Sequence, residues 1–256
     1  MGPIALHGGG EFLPGDERFL DALLGVAARA AAVRRAGPGD PADVVAHAAA
    51  AEPLRVVILP VAAARGRPKL AGQQGTDAFE RRAGALGCRI SVEAAMVVDA
   101  ASAADEAEAA RIEVADLVYL PGGDPDLPPA ILAGSAVEAG LVAAHRDGAV
   151  IAGASAGAMA LADWSWTNGG GIRGLGFVHG LAVVPHYDDV RRLAWQSSLA
   201  KVAPHGLGFL GLDERTGVIS ENGRWRVVGE GAAHWFAPGD SKPETARDGG
   251  WLPVPA

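Results

Sequence analysis

The sequence predicts an α/β fold, a doubly wound and mostly parallel sheet flanked by helices, on the strength of three observations. Short apolar runs alternate with segments of helical periodicity from residue 4 to about residue 160, the order that parallel strands joined by crossover helices require. Several runs, Val56 to Val61 above all, are continuously apolar instead of alternating, as strands covered on both faces must be. With 49% hydrophobic and 20% charged residues in a chain of 256, there is material for a core that needs no covalent staples. One α/β domain is therefore expected over residues 1–240, with a loosely held tail at 241–256.

Ile4 to His7 is an apolar run that stops at Gly8-Gly9-Gly10, and Asp16 to Val26 then repeats apolar residues at helical spacing. Strand, turn and helix follow in that order. Ala27 to Pro53 is rich in Ala, Gly and Pro and reads as connection: a helix, a turn at Pro38 to Pro41, and a second helix. Val56 to Val61 is a buried strand, and Asp77 to Leu86 its helix. Ile90 to Val98 and Leu117 to Leu120 repeat the strand signal around an Ala- and Glu-rich helix. Next come a helix at Ala136 to His145, a strand at Ala149 to Ala152, the turn Gly153-Ala154-Ser155-Ala156-Gly157, and a helix at Ala158 to Asp163. Leu181 to Val184 is a further strand ending at Pro185-His186, and Asp188 to Val202 reads as a helix. Beyond Leu207, the runs around Val218, Val227 and Trp235, broken by Glu221-Asn222-Gly223 and Pro238-Gly239, predict short antiparallel strands.

A formal net charge of −8 supplies no positive field for phosphate backbones, which excludes nucleic acid as an expected partner. The single cysteine, Cys88, cannot close an internal disulfide, which fits a reducing compartment. The first residues carry neither a basic leader nor an apolar stretch long enough to span a bilayer, so a cytoplasmic protein without membrane association is expected. The oligomeric state is left open, a homodimer included.

Chemistry concentrates in the turn at residues 153–157. The pattern G-x-S-x-G, with a buried strand before it and an Ala-rich helix after it, is the context in which a serine nucleophile sits on a sharp, strained turn. The flanking glycines and alanines let neighbouring backbone approach. The amide of Ala156, at the N-terminus of the helix, is placed to stabilise an oxyanion on a substrate of Ser155. The same pentapeptide also serves as a plain packing turn, so the serine needs a base. Of the seven histidines, His186 is the one at the end of a strand downstream of the nucleophile, where loops gather at a sheet's C-terminal edge. His47, His145, His179, His205 and His234 are assigned to helices, connections or peripheral turns. A second oxyanion donor is expected from the loop at Leu120 to Pro125, with Gly123 preferred and Gly122 beside it.

Leu120 to Asp124 as LPGGD, Ile151 to Leu161 as IAGASAGAMAL, and Val184 to Tyr187 as VPHY resemble, in order and spacing, the serine peptidases that include dipeptidase E and cyanophycinase. The opening HGGGE and the later GLDERT at Gly211 to Thr216 are similar to two further stretches of that family, so the resemblance spans about residues 4 to 230. It implies a fold like the class I glutamine amidotransferases with serine in place of the cysteine nucleophile, and hydrolysis of small peptides next to acidic residues without a metal or organic cofactor. Ser155 then matches the nucleophile, His186 the base, and Gly122 and Gly123 the oxyanion loop. Asp124, and the arginines Arg191 and Arg192 five and six positions after His186, are expected at the substrate, where a planar guanidinium suits a carboxylate. As solvated helix charges the arginines would do nothing, and the pair is shorter than the arginine array of cyanophycinase-like members.

The third catalytic group is less well marked. Asp163 is the only carboxylate from Ala156 to Pro185, and along a helix it would lie ~12 Å from Ser155 at 1.5 Å per residue. Asp163, Asn168 or no residue orients His186 on this reading. Two other functions remain open: an α/β-hydrolase esterase, because His7 to Gly10 resembles a lipase oxyanion loop, and a non-catalytic amidotransferase-like binding module, which the missing acid would favour.

Overall fold

The computed structural model describes residues 1–36, 52–167, 170–188 and 202–254. An eight-stranded sheet organises the chain, built from β1 (Ile4–His7), β2 (Leu54–Ile58), β3 (Ile90–Ala94), β4 (Leu117–Leu120), β5 (Val150–Ala154), β10 (Thr216–Glu221), β11 (Arg224–Gly229) and β14 (Trp251–Leu252). Its order is β14-β11-β10-β1-β5-β4-β2-β3. Strands β1, β5, β4, β2 and β3 run parallel, and the three others extend the sheet antiparallel beyond β1. This is the doubly wound, mostly parallel arrangement expected, with antiparallel strands supplied by the later part of the chain.

The alternation of side chains along these strands builds two cores. Ala5, Val56, Ile58, Leu117, Tyr119, Val150 and Ala152 face one way, onto Phe19, Leu20, Leu23 and Leu24 of the helix Glu17–Ala36 and onto Ala78 and Phe79 of the helix Pro68–Leu86. Ile4, Leu6, Val57, Val118, Leu120 and Ile151 face the other way, onto Val137, Leu141 and Ala144 of the helix Ala136–Arg146. Continuous apolar runs were the sequence signature of this double covering.

A two-stranded ribbon, β6 (Trp164–Ser165) and β7 (Ile172–Arg173), follows β5 in the chain, and a second sheet packs on the latter face. It has four strands in the order β13-β12-β9-β8: β8 (Leu181–Val184), β9 (Gly208–Leu212), β12 (Ala232–Phe236) and β13 (Glu244–Arg247). Leu181, Val183, Leu210, Leu212, Ala233 and Trp235 join the core beneath it. Two expectations are corrected here. The strand that leads to His186 is parallel to β9 and lies in this smaller sheet, not in the main one. The tail after Asp240 is not loose: Glu244–Arg247 pairs with β12 and Trp251–Leu252 with β11, so main-chain hydrogen bonding holds a segment whose composition suggested none. The helix expected at Asp188 to Val202, and the connection between Gly37 and Ala51, fall outside the described residues almost entirely.

Candidate active site

The turn after β5 is as sharp as its sequence demands. Ser155 adopts φ 48°, ψ −115° and immediately precedes a six-residue helix, Ala156–Leu161. A side chain at φ > 0 in this region costs about 1–3 kcal/mol and persists only where surroundings impose it. The surroundings do so: the Ser155 amide donates to the carbonyl of His7 at 2.9 Å, and the Ser155 carbonyl accepts from Met159 at 2.9 Å. Gly157 is required for contact alone, since a Cβ there would lie 2.1 Å from the Leu120 carbonyl oxygen.

His186 comes from the other sheet and meets Ser155 across the junction of the two. Its backbone is also in the left-handed region, φ 52°, and its amide donates to the Gly8 carbonyl at 2.8 Å. Ser155 Oγ lies 3.0 Å from His186 Nε2. His186 Nδ1 lies 2.8 Å from Glu214 Oε1. An ionised carboxylate only accepts, so Nδ1 carries the ring proton and Nε2 presents its lone pair to the serine hydroxyl. The His186 and Glu214 side chains are 37% and 41% exposed, so the pair opens to solvent. Glu214 is held through its backbone: its amide donates to Asp188 Oδ1 at 3.0 Å, and its carbonyl accepts from the Thr216 hydroxyl at 3.2 Å.

Glu214 is therefore the carboxylate against the imidazole, and Asp163 is not. The helix after Ser155 stops at Leu161, and Asp163 turns away to accept from the Gly180 amide at 2.6 Å and to meet His179 Nδ1 at 3.0 Å. Burial is the largest single influence on its carboxyl and pushes its pKa up, but the Gly180 amide and His179 together outweigh it and hold the value below the ordinary one. Asp163 is a turn anchor. Asn168, Arg191 and Arg192 lie outside the described residues. The acid beside His186 lies outside the segment from Ala156 to Pro185 in which it was expected. Glu214 stands 28 residues beyond His186, inside the GLDERT stretch already noted for its resemblance, which was the signal that could have found it.

The loop after β4 crosses directly over Ser155: a Cβ placed on Gly122 would lie 3.1 Å from Ser155 Cβ. Its two glycine amides differ. Gly122 N–H donates to Glu11 Oε1 at 2.7 Å, so it is already satisfied and the expectation of a free donor at Gly122 is corrected. Neither Gly123 nor Ala156 donates its amide to any other described residue. Gly123 has φ 155°, and a Cβ there would fall 2.2 Å from the Ala62 carbonyl oxygen, so no other residue fits. Asp124 closes the loop with local contacts: Oδ1 accepts from the Asp126 amide at 3.0 Å, and Oδ2 is 3.9 Å from Arg65. Those contacts start the next helix and do not by themselves point Asp124 at a substrate. Among the described residues, no helix is long and apolar enough to cross a membrane.

The histidines set aside in the sequence lie apart from this constellation where they are described. His145 packs edge-on against Phe177 with ring centroids 5.6 Å apart, and His234 lies between Asp213 and Thr245 at 3.3 and 3.0 Å. Asp213, next to Glu214, is pushed up in pKa by burial, yet His234 and the Ala232 amide together hold it below its ordinary value. The buried pair His7 and Asp16, 3.0 Å apart beneath the glycine loop, was not singled out in the sequence.

The solved structure of a peptidase from an acI-B1 actinobacterium superposes with a TM-score of 0.76 at 22% identity, over 98% of this chain and 96% of that one. A putative peptidase E protein from Listeria monocytogenes EGD-e superposes with a TM-score of 0.55 at 12% identity, over 90% of this chain and 98% of that one. At such identities both similarities speak to the fold. No curated protein matches the chain in sequence. A sequence profile of peptidase family S51 matches residues 43–228. That match covers well over half of the chain, including the serine turn, the histidine and the glutamate brought together here, and the protein belongs to peptidase family S51, the serine-type peptidases of dipeptidase E and cyanophycinase.

Proposed function

We propose that the protein hydrolyses small peptides next to an acidic residue through an acyl-enzyme on Ser155, with His186 as general base and Glu214 as the group that orients it. The observation that carries this reading is the unbroken line from Ser155 Oγ to His186 Nε2 at 3.0 Å and from His186 Nδ1 to Glu214 Oε1 at 2.8 Å. His186 takes the hydroxyl proton as Ser155 attacks the scissile carbonyl, and Glu214 stabilises the imidazolium that forms. The amides of Gly123 and Ala156, free of other described acceptors, receive the oxyanion. His186 then returns the proton to the leaving amine, and water, deprotonated by the same imidazole, releases the acyl group.

Preference for an acidic residue rests on Arg191 and Arg192 as guanidinium partners for a substrate carboxylate. A missing acid would favour the binding-module alternative, and Glu214 Oε1 at 2.8 Å from His186 Nδ1 supports the catalytic reading over it. The esterase alternative drew on His7 to Gly10, which here follows the first strand. The test is hydrolysis of an acidic dipeptide such as Asp-Leu, compared with its amide-swapped and neutral analogues. Turnover by the wild type that Ser155→Ala abolishes with the fold intact is expected; equal turnover in the variant would remove the assignment.

A further inference from the structure

The loop that follows β1 touches every part of the constellation. The His7 carbonyl accepts from Ser155 N–H at 2.9 Å, the Gly8 carbonyl from His186 N–H at 2.8 Å, and the Gly9 carbonyl at 2.8 Å from the amide of Arg215, next to Glu214. Glu11 completes the set by accepting the Gly122 amide at 2.7 Å. The far side of the loop is tied to the core. Phe12 N–H donates to Asp16 Oδ2 at 2.8 Å, and the Phe12 ring packs against Tyr119 at 5.4 Å and Phe79 at 6.4 Å. Glu11 thus projects from a fixed base.

What it holds is a segment with little stiffness of its own. Gly122 and Gly123 together have the widest backbone freedom a dipeptide can have, and the amide of Gly123 is free to serve an oxyanion only while the peptide planes on either side stay still. Two hydrogen bonds bracket it. Gly122 N–H is fixed on Glu11, and Asp124 N–H is fixed on the Ala62 carbonyl at 2.8 Å. The Ala62 bond is main chain to main chain, whereas the Glu11 bond depends on one side chain. Among the described residues, no lysine, arginine or histidine lies within ion-pair distance of Glu11, so its visible work is that of an acceptor.

We infer that Glu11 is a positioning residue that fixes the oxyanion loop by accepting the Gly122 amide, so that the Gly123 amide faces the carbonyl under attack at Ser155. The catalytic half of this inference rests on the peptidase reading above; the tie itself does not. The role needs an acceptor oxygen and no charge. A neutral amide at position 11 retains the bond, and it also removes a negative charge from the neighbourhood of a developing oxyanion, which offsets a weaker acceptor.

The experiment compares wild type, Glu11→Gln and Glu11→Ala by two readouts. Steady-state kinetics on the acidic dipeptide should show Glu11→Ala with kcat lowered roughly 30- to 100-fold and KM within about 3-fold, and Glu11→Gln within about 5-fold of wild type, in line with the ~100- to 1,000-fold effect of losing an oxyanion donor outright. Amide hydrogen exchange at Gly122, resolved by NMR, should be slow in wild type and Glu11→Gln and at least about 10-fold faster in Glu11→Ala. Equal exchange at Gly122 in all three proteins would overturn the inference. So would a Glu11→Gln variant as impaired as Glu11→Ala, which would make the charge the active feature, in contact with a cationic substrate group. Absence of hydrolysis by wild type would refute the peptidase reading, and the exchange rates would still decide whether Glu11 holds the loop.

Discussion

Replacing Glu214 by Gln should lower kcat/KM on an acidic dipeptide by roughly 100- to 1,000-fold, or about 2.7–4.1 kcal/mol at 1.36 kcal/mol per decade. The magnitude follows from the geometry. A carboxylate 2.8 Å from His186 Nδ1 fixes the tautomer and stabilises the imidazolium, and in serine peptidases whose acid is buried an isosteric amide costs about 10⁴-fold, chiefly by favouring the wrong tautomer. Here the two side chains are 37% and 41% exposed, so water screens the pair and carries part of the charge, which moves the expected loss below that limit. Asp163→Asn is the matched control. Its carboxylate serves Gly180 and His179 instead of His186, so activity should stay within about 3-fold of wild type while the turn it anchors loses some stability. The assay is initial-rate hydrolysis with both variants checked for native circular dichroism. A Glu214→Gln enzyme within 10-fold of wild type, or an Asp163→Asn enzyme reduced as far as the Glu214 variant is expected to be, would refute the reasoning.

Two further outcomes are expected from the backbone and from a half-buried histidine. Ser155 holds φ 48° against its side chain, so Ser155→Gly should melt above Ser155→Ala, by an amount equivalent to about 1 kcal/mol; identical melting temperatures would show that the turn stores no strain. His145 is held below 6.5, first by burial and second by the N-terminal amine, so it stays neutral in the fold and gains a proton on unfolding. Its contribution to stability is complete above pH 6.5 and is lost as the pH falls through the lower folded value. The melting temperature should therefore drop less between pH 7 and pH 5 in His145→Phe than in wild type; parallel profiles would contradict the assignment.

Ser155 and His186 were legible because each has a local signature: a buried strand, a small-residue turn and a helix around the serine, and a strand end around the histidine. The parallel core was legible for the same reason, since burial on both faces leaves continuous apolar runs such as Val56 to Ile58. Glu214 was not, because nothing in the spacing of residues says that a turn between β9 and β10 comes to lie beside the end of β8. That proximity depends on the pairing of Leu181 to Val184 with Gly208 to Gly211, a contact between strands far apart in sequence. The second sheet was hidden likewise: periodicity marks a strand and leaves its neighbour unspecified. Composition misled at Glu244–Arg247, an exposed edge strand whose stability comes from main-chain bonds to β12. Glu11 stands in the HGGGE stretch that carries part of the resemblance, yet no spacing of residues says that its side chain accepts the Gly122 amide, 111 positions away.

Activation of Ser155 as a nucleophile by His186 is tested most directly by active-site labelling with a serine-directed phosphonate followed by peptide mass mapping. One adduct on Ser155 is expected in the native protein, lost in Ser155→Ala and strongly slowed in His186→Ala. No adduct under native conditions, or an adduct on another residue, would contradict the claim.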